Sequence, residues 1–335
     1  MNTELLSTHT PALFQKSVLR AAELLRAGEV VALPTETVYG LAANAHDERA
    51  VAKIFSVKGR PSHNPVIVHV ASSEMAAACV QKWPALAKKL AQSFWPGPLT
   101  LVLPCAPQIP PSVTAGGHTV GIRWPSHPFM QAVIRECGFP LAAPSANLSN
   151  QISPTNAEHV REQLDGKIRL IVDGGQSQVG IESTVLDLTT SPPRILRPGM
   201  IHAEALAAVC GEVTNIKQQA TVNETLRSPG MLQKHYSPKA KLIVAKWRDD
   251  AELRQLVLAH SSLATCFVVT HTKIPAGFSA QNVSVIPHDA EAYARALYAE
   301  LHRCDAAGAK LIVVEAPPDL PEWSAIADRL RRAAA

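Results

Sequence analysis

The stretch KGRPSHNPVIVHV, residues 58–70, carries the pattern on which the fold prediction rests. The apolar spacing before it predicts a helix that ends at Lys58, and the apolar run from Pro65 predicts a buried strand. The turn between them collects cations and amides, among them Arg60 and Asn64. Donors at the edge of a buried strand are typical of ligand sites in open α/β sheets.

The same alternation of helical and strand patterns continues on both sides of this stretch. Apolar residues recur at helical spacing from Leu13 to Leu25, and Gly28 is the expected stop. Further helices are predicted over residues 47–57, 84–93, 128–137 and 155–164, and strands over residues 30–34, 65–70, 99–103, 119–123, 169–173 and 183–188. Because some neighbouring strands have no helix between them, we predict an α/β sandwich around a mixed sheet.

Length and a change of pattern predict two domains. The chain has 335 residues, 47% of them hydrophobic, which suits two cores better than one. The apolar period fades between Gly211 and Ala240, and about 95 residues of alternating strands and helices follow, enough for a small α/β domain. We predict a first domain over residues 1–210, a linker or strap over 211–240, and a second domain over 241–335.

Composition excludes several classes of protein. Charged residues make up 18% of the chain and no segment is of low complexity, so a folded protein is expected. The densest basic cluster is the final DRLRRAAA, residues 328–335, which fits a solvated helix end or a polyanionic partner. Six cysteines without a CxxC pair indicate a reducing compartment, and no run of about twenty apolar residues suggests a membrane span. We expect a soluble, cytoplasmic protein.

Polar clusters at strand ends are the candidate ligand-binding groups. The sequence has no GxxxxGK[ST], GxGxxG, HExxH or GxSxG signature. Six clusters remain, over residues 34–40, 58–64, 119–125, 143–155, 173–184 and 195–199. Strand ends of α/β sheets converge on ligands, so we expect the six to line one site. Their hydroxyls, amides and arginines suit phosphates and a carboxylate.

Simpler interpretations of single residues stay open at this point. Asn-Pro, Gly-Gly and Ser-Pro pairs are ordinary turn formers. His69 inside an apolar strand fits a core histidine with satisfied hydrogen bonds. Glu36 and Glu182 fit a base or metal-linked carboxylates, and equally helix-start or turn roles.

Seven motifs together resemble one family. PTETVYGLAANA, the KGRPSHNP turn, FWPGPLTLVL, VGIRWP, APSANLS, ESTVLDL and ILRPG follow one another within residues 12–205. In this order they resemble the YrdC-like catalytic domain of threonylcarbamoyl-AMP synthases. SPGMLQKHYSPKAKL, residues 228–242, resembles the strap of the two-domain branch, mainly through Pro229, Gly230, His235, Tyr236 and Pro238. The resemblance implies a YrdC-like twisted mixed sheet with helices, plus a smaller Rossmann-like α/β C-terminal domain.

The resemblance also implies an activity. Such enzymes join L-threonine, bicarbonate or CO2, and ATP into threonylcarbamoyl-AMP and pyrophosphate. The product feeds a downstream tRNA threonylcarbamoyl transferase, which modifies the adenosine beside the anticodon. Mg2+ is expected on the ATP phosphates and not in a protein cage, so no metal-ligating residues are predicted.

Site residues follow from the same motifs. Lys58 and Arg60 are implied as catalytic residues that neutralise the triphosphate. L-Threonine would lie among Thr37, His69, Arg123, Ala143 and Ser183, with Arg123 pairing with its carboxylate. ATP would contact Lys58, Arg60, Asn64, Thr119, Ser145, Asn147, Ser153, Arg197 and Tyr236, the last of these closing the strap. Asn150 departs from the family pattern, which has Gly there in many members, but Asn tolerates left-handed backbone.

Two alternatives from other classes remain. A non-catalytic YrdC-like module would bind tRNA or other RNA weakly through a basic surface, and salt-sensitive RNA binding without ATP turnover would favour it. The sequence lacks the aromatic stacking motifs expected of such a module. A carbamoyltransferase using another carbamoyl donor would resemble hydrogenase maturation proteins, whose zinc-finger-like cysteine sets and acylphosphatase segment do not occur here.

Overall fold

The computed structural model describes residues 2–215 and 235–335 of the chain. These divide into a larger unit of residues 2–149, 154–178 and 182–215 and a smaller unit of residues 150–153, 179–181 and 235–335. Two short segments of the predicted first domain therefore belong to the smaller unit. Most of the predicted strap, including Pro229 and Gly230, lies outside the described residues.

The larger unit is built on a mixed sheet that has eleven strands among the described residues. The strands are β1 (Glu4–Ser7), β2 (Val31–Leu33), β3 (Gly40–Asn44), β4 (Val68–His69), β5 (Leu99–Pro104), β6 (Thr119–Arg123), β7 (Leu141–Ala142), β8 (Leu170–Asp173), β9 (Thr184–Asp187), β10 (Arg194–Arg197) and β11 (Thr214–Asn215). Their order across the sheet is β1-β8-β2-β3-β7-β4-β6-β5-β9-β10-β11. The mixed α/β prediction is confirmed, and the sheet runs five residues past the predicted limit at residue 210.

Helices of the larger unit begin and end where local chemistry dictates. They are α1 (Pro11–Arg26), α2 (Glu48–Lys58), α3 (Ser73–Ala78), α4 (Ala85–Phe94), α5 (Pro111–Thr114), α6 (Pro128–Cys137), α7 (Ala157–Leu164) and α8 (Ala203–Cys210). The Asp47 carboxylate caps α2 by accepting from two backbone N–H groups, and Gly59 ends it with a φ of 61°. The helix predicted to end at Lys58 is confirmed.

The central strands of the sheet have one apolar and one polar face. In β6, Val120 and Ile122 enter the main core together with Ile54 of α2 and Leu90 of α4. Successive side chains of a strand point to opposite faces, so Thr119, Gly121 and Arg123 share the other face. Helices pack on the apolar face, and the polar face carries the candidate site.

The smaller unit contains a four-stranded parallel sheet. Its strands are β12 (Lys241–Ala245), β13 (Cys266–Thr270), β14 (Val283–Val285) and β15 (Leu311–Glu315), in the order β12-β15-β13-β14. The helices are α9 (Asp250–Leu258), α10 (Ala290–Ala306) and α11 (Ser324–Ala333), with 3₁₀ turns at Leu263–Thr265, Ala280–Asn282 and Pro321–Trp323. The predicted small Rossmann-like α/β domain is confirmed.

Some local predictions were wrong. The strand expected over residues 65–70 is reduced to Val68–His69, because the Val66 N–H donates to Val113 O beside α5 instead of to a neighbouring strand. β3, α3 and α8 were not predicted. β3 is composed of Gly, Leu, Ala and Asn, residues without the β-branched signature of strands.

The basic C-terminal cluster forms an ion-pair network around the buried Asp328 carboxylate. Asp328 is 8% exposed and lies 3.0 Å from both Arg329 Nη1 and Arg332 Nε, and 2.5 Å from Arg331 Nη2. Burial acts to raise the pKa of Asp328, but the arginine charges outweigh it and hold the pKa below its usual value. These arginines therefore stabilise the smaller unit and are poor evidence for a polyanion site.

Within the described ranges 2–215 and 235–335, none of the helices has the length and apolarity needed to cross a bilayer.

Asp328→Asn should lower the free energy of unfolding by about 3 kcal/mol at pH 7, because it removes the Asp328 charge that pairs with the fully buried Arg329 guanidinium. A carboxylate with a lowered folded-state pKa stabilises above the unfolded-state value, about 3.9, and this stabilisation is lost as pH falls through the folded-state pKa. The difference between wild type and variant should thus shrink below about pH 4. Urea unfolding followed by circular dichroism measures the free energy of unfolding of both proteins at each pH.

Asp319→Asn is the matched control, since Asp319 is an exposed carboxylate in the same unit. Equal stability of the Asp328→Asn variant and this control at pH 7 would show that the network contributes nothing.

Candidate active site

Polar side chains from adjacent strands meet on the face of β4, β5 and β6 that is opposite the main core. His69 of β4 lies opposite Arg123 of β6 in a parallel pair. The antiparallel register of β5 and β6 pairs Leu101 with Ile122, so Thr100 lies beside Arg123. Ser183 directly precedes β9, and its hydroxyl is 2.8 Å from that of Thr100. Distant motifs therefore converge at one end of this face.

A shallow recess lies beside the N-terminal half of β6. Its lining comprises Pro65, Val66, Ile67, Thr100, Val102, Val113, Thr119, Val120, Gly121 and Val185. The strand β6 continues past it to Arg123, so that Thr119 and Arg123 are about 13 Å apart at the usual rise per residue. The polar face therefore has two ends, one near Thr119, where the recess lies, and one near Arg123.

The Arg123 end is organised by a buried ion pair. Glu36 Oε1 lies 2.7 Å from Arg123 Nη2, and the two side chains are 7% and 4% exposed. The guanidinium also donates to Thr37 Oγ1 at 2.9 Å and to Gly97 O at 3.2 Å. These hydrogen bonds use Nε and Nη1, whereas Nη2 is buried and makes no hydrogen bond among the described residues, so N–H groups on Nη1 and Nη2 are left for a ligand.

A tight turn holds Glu36 and Thr37 in place. The Thr35 hydroxyl donates to Val38 O at 2.6 Å and accepts from the N–H groups of Thr37 and Val38. This turn connects the antiparallel strands β2 and β3. Serine and threonine turns of this kind are local, so the PTETV sequence itself builds the Glu36 position.

The pKa values of Glu36 and His69, both at this end, differ from their usual values. Burial acts to raise the pKa of Glu36, yet the Arg123 charge and the Ser126 N–H outweigh it, so the pKa is lowered and the carboxylate is ionised. Burial and the charge of Arg123 lower the pKa of His69 to about 3, which makes the imidazole neutral at pH 7. Glu36 Oε2 and His69 Nδ1 are buried without a hydrogen-bond partner among the described residues.

Ser183 is tied to a second arginine. Arg197 Nε donates to Ser183 O, and Arg197 Nη2 donates to Ser183 Oγ, each at 3.0 Å. The Arg197 side chain is buried, and β10 presents it beside β9. The predicted threonine contact Ser183 and the predicted nucleotide contact Arg197 are therefore direct neighbours.

At the other end, Lys58 holds a loop. Its Nζ donates to Ser145 O at 2.6 Å, to Asn147 O at 2.5 Å and to Asn147 Oδ1 at 3.1 Å. Burial and the charge of Arg60 lower the pKa of Lys58 well below its usual value. All three N–H groups of the ammonium are aimed at this loop, so Lys58 fixes the predicted nucleotide contacts Ser145 and Asn147.

Arg60 braces its own turn in the same manner. Its guanidinium donates to Asn64 O at 3.0 Å, and to Asn64 Oδ1 and Pro65 O at 2.7 Å each. Pro65 lines the recess. Asn64 is fully buried, and its Nδ2 donor has no hydrogen-bond partner among the described residues. The turn thus presents a buried amide donor next to the recess.

The remaining predicted residues divide between the two units. Ala143 follows β7, and its N–H donates to Ile67 O beside the recess. Ser153 and Tyr236 belong to the smaller unit, where Ser153 O lies 3.2 Å from His302 Nε2. Tyr236 is 1% exposed and stacks on Tyr298 with ring centroids 5.8 Å apart.

Two positive φ angles occur in the smaller unit next to these residues. Asn150 has a φ of 66°, which confirms that asparagine provides the left-handed turn expected there. Tyr236 has a φ of 64°, unusual for a bulky residue, and the Arg329 guanidinium lies 5.4 Å from its ring centroid.

Sequence reasoning missed two residues that shape the recess. Thr100 lies inside an apolar strand and gives no local signal. Gly121 does give one, because a glycine within a strand often marks a close approach by a ligand or another backbone. A Cβ at position 121 would lie 3.1 Å from Thr100 Cγ2 and 3.6 Å from Ile67 Cγ1. The absence of a side chain keeps the middle of the recess open.

The donor set suits anions more than metals. Within the described residues, no group of three or more His, Cys, Asp and Glu side chains is placed to hold a metal ion. The hydroxyls of Thr100 and Thr119 line the recess, and the guanidinium groups of Arg60, which donates to Pro65 O, and Arg123 lie near its two sides. Such donors bind phosphate and carboxylate oxygens.

Comparisons with known proteins agree with this site. A family model of Sua5, YciO and YrdC proteins, described as "Telomere recombination", matches residues 23–199. Another, described as "Threonylcarbamoyl-AMP synthase, C-terminal domain", matches residues 201–335. The threonylcarbamoyl-AMP synthase of Bacillus subtilis is 45% identical over 336 residues, covering 99% of this chain and 95% of its own. That of Pyrococcus abyssi is 41% identical over 318 residues, covering 93% and 92%.

A solved structure matches equally well. The crystal structure of P. abyssi Sua5 complexed with L-threonine superposes with a TM-score of 0.90 at 38% identity, over 100% of this chain and 98% of that one. The family models cover both units, and the relatives match nearly the whole chain. The chain belongs to the threonylcarbamoyl-AMP synthase family of nucleotidyltransferases.

Proposed function

We propose that this enzyme makes threonylcarbamoyl-AMP and pyrophosphate from L-threonine, bicarbonate or CO2, and ATP. The observation that supports the proposal is the polar face of the central sheet, which gathers Thr37, His69, Arg123 and Ser183 near one end of β6 and has the recess near the other. Its product would supply a downstream transferase that modifies adenosine in tRNA.

The Arg123 end would bind the amino acid. Thr37, His69, Arg123 and Ser183 are gathered there, and the relative from P. abyssi with the same fold is known in complex with L-threonine. N–H groups on Nη1 and Nη2 of Arg123 are left for the carboxylate, and Ala143 borders the recess through Ile67. A buried set of this kind would reject ligands that cannot pair with it, because unpaired buried polar groups are costly.

The Thr119 end would bind ATP. Asn64 presents a buried, unpartnered amide donor, and Arg60 and Lys58 add positive charge beside the triphosphate. Lys58 would act chiefly by holding Ser145 and Asn147, since its three N–H groups are aimed at their loop. Arg197, next to Ser183, would contact the nucleotide where the two ends meet. Mg2+ would be bound by the ATP phosphates and neutralise their charge.

Ser153 and Tyr236 of the smaller unit are proposed as further nucleotide contacts. Tyr236 would close the strap over the nucleotide, and gating of this strap is a proposed task for the C-terminal domain. Docking of the downstream transferase is a second proposed task.

The chemistry would proceed by positioning. The threonine amine reacts with CO2 to give a carbamate, whose oxygen attacks the α-phosphorus of ATP and displaces pyrophosphate. No covalent enzyme intermediate is needed. Holding the partners in line is worth effective molarities of roughly 10^5 M or more, and preorganised donors stabilise the charge that develops on phosphate oxygens. A dry, closed site would protect the labile carbamate and mixed anhydride from water.

Incubation with ATP, labelled bicarbonate and one amino acid at a time tests the function. Pyrophosphate should form with L-threonine and carry the label into a nucleotide product. Pyrophosphate release that is independent of threonine, or none with any amino acid, would contradict the proposal.

Variants at the two ends should separate the two substrates. Arg60→Ala should reduce pyrophosphate formation about 100-fold, because a preorganised donor of the nucleotide end is lost. Arg123→Ala should raise the threonine KM about 10- to 100-fold, because the carboxylate loses a bidentate partner. Steady-state kinetics with each substrate varied measures both.

Arg161→Ala is the control, because Arg161 is an exposed arginine that pairs with Glu158 on α7. An Arg60→Ala variant with near-normal turnover, or an Arg123→Ala variant with an unchanged threonine KM, would refute the respective assignment.

Gly121→Val should fill the part of the recess that lies between Thr119 and Arg123. The added side chain would press on Thr100 and fill the recess, so we expect turnover to fall at least about 10-fold while the fold is retained. Gly121→Ala adds only a methyl group, so its turnover should fall by a smaller factor. Kinetics of both variants, with circular dichroism as the check on folding, measures the effect; wild-type kinetics of Gly121→Val would show that ligands do not cross this point.

A further inference from the structure

The Glu36 carboxylate has one oxygen in use and one without a partner. Oε1 pairs with Arg123 at 2.7 Å and accepts from Ser126 N at 3.0 Å. Oε2 is buried, and among the described residues nothing donates to it. A buried charged acceptor without a donor is strongly unfavourable, so a ligand donor is expected at this oxygen.

The surrounding charges specify what kind of donor fits. Glu36 is ionised, Arg123 is permanently charged, and the low pKa of His69 keeps its imidazole neutral. The pair is therefore neutral overall, with a negative and a positive pole in contact. An isolated anion would meet the Glu36 charge and an isolated cation would meet Arg123. A zwitterion with both charges close together matches both poles.

An α-amino acid is such a zwitterion, because its ammonium and carboxylate groups stand on the same carbon atom. If its carboxylate takes the N–H groups left on Nη1 and Nη2 of Arg123, its nitrogen lies next to the neighbouring carboxylate. We propose that Glu36 Oε2 accepts a hydrogen bond from the α-amino group of the amino-acid substrate. This inference rests on the proposed function and adds a substrate-binding residue to it.

This contact orients the nitrogen for its reaction. Since the pKa of Glu36 is lowered, the carboxylate acts as an acceptor, and the proton that the ammonium loses before it reacts goes to solvent. The nitrogen is then held at a fixed point relative to Arg123, which leaves its remaining side open toward the recess. Orientation of this kind contributes to catalysis by raising the effective concentration of the reacting groups.

The test compares L-threonine with 3-hydroxybutanoate, which is threonine without the amino group. Binding of each to the full chain is measured by calorimetric titration or ligand-observed NMR. Wild type should bind L-threonine about 10- to 100-fold more tightly, the range for a hydrogen bond to a charged group. In Glu36→Gln this preference should fall to threefold or less, roughly the level of a neutral hydrogen bond.

The comparison distinguishes substrate contact from mere support of Arg123. If Glu36 only positions the guanidinium, Glu36→Gln weakens both ligands by the same factor and the preference persists, which overturns the inference. A wild type without preference for L-threonine over 3-hydroxybutanoate overturns it as well, and this arm needs no variant. Absence of any L-threonine binding by wild type would instead refute the proposed function.

Two further variants complete the design. Glu29→Gln is the matched control, because it removes the same charge from a carboxylate that pairs with Lys53 elsewhere in the larger unit, and it should keep the wild-type preference. Glu36→Asp retains the charge but shortens the side chain, so it should keep part of the preference. If Glu36→Gln does not fold, an Asp variant with the full wild-type preference decides against the contact.

Discussion

The buried ion pair between Glu36 and Arg123 is the constraint around which the larger unit is arranged. Two charges taken out of water are tolerated only when their remaining polar atoms are paired. The pair meets this demand by drawing in Thr37, Gly97 and Ser126, which belong to three separate loops. Oε2 of Glu36 and Nη2 of Arg123 remain without a hydrogen-bond partner among the described residues, and these are the atoms that the proposed amino-acid ligand would contact.

Most cations of the site donate their hydrogen bonds to other groups of the protein. Lys58 fixes the loop of residues 145–147, Arg60 fixes the turn of residues 60–65, and Arg197 fixes Ser183. Their charges remain near the recess while their hydrogen bonds hold neutral donors in position. Such an arrangement is preorganised, because the groups that meet the ligand need not be ordered when it binds. With the proposed function, this arrangement would let a chain with a net charge of only +4 bind a polyanionic nucleotide.

The smaller unit is also stabilised by ion pairs of buried side chains. Asp328 neutralises arginines of α11, and Arg329 lies over the ring of Tyr236. Tyr236, which the sequence assigns to the strap, is therefore held within the smaller unit by the Arg329 guanidinium and by stacking on Tyr298. An arginine cluster that suggests nucleic acid in the sequence is, in the folded chain, an internal support.

The sequence by itself determined the α/β class, the ends of the well-capped helices and the chemistry of the donors. These depend on interactions within a few residues, such as the Asp47 cap, the Gly59 stop and the Thr35 turn. The alternation in β6 also assigned Arg123 to a polar face. β3 was missed because its small residues hide the strand pattern, and β4 is shorter than predicted because Val66 donates its N–H outside the sheet.

Only the tertiary structure decided which donors meet. The hydroxyl of Thr37 and the guanidinium of Arg123 are 86 residues apart, and Lys58 and Asn147 are 89 apart. Nothing in a linear pattern specifies such partners, because they are selected by sheet order and strand register. The same holds for Gly121 and Thr100, whose importance comes from the recess between strands. Local physics fixes which groups a segment offers, and long-range packing fixes what they face.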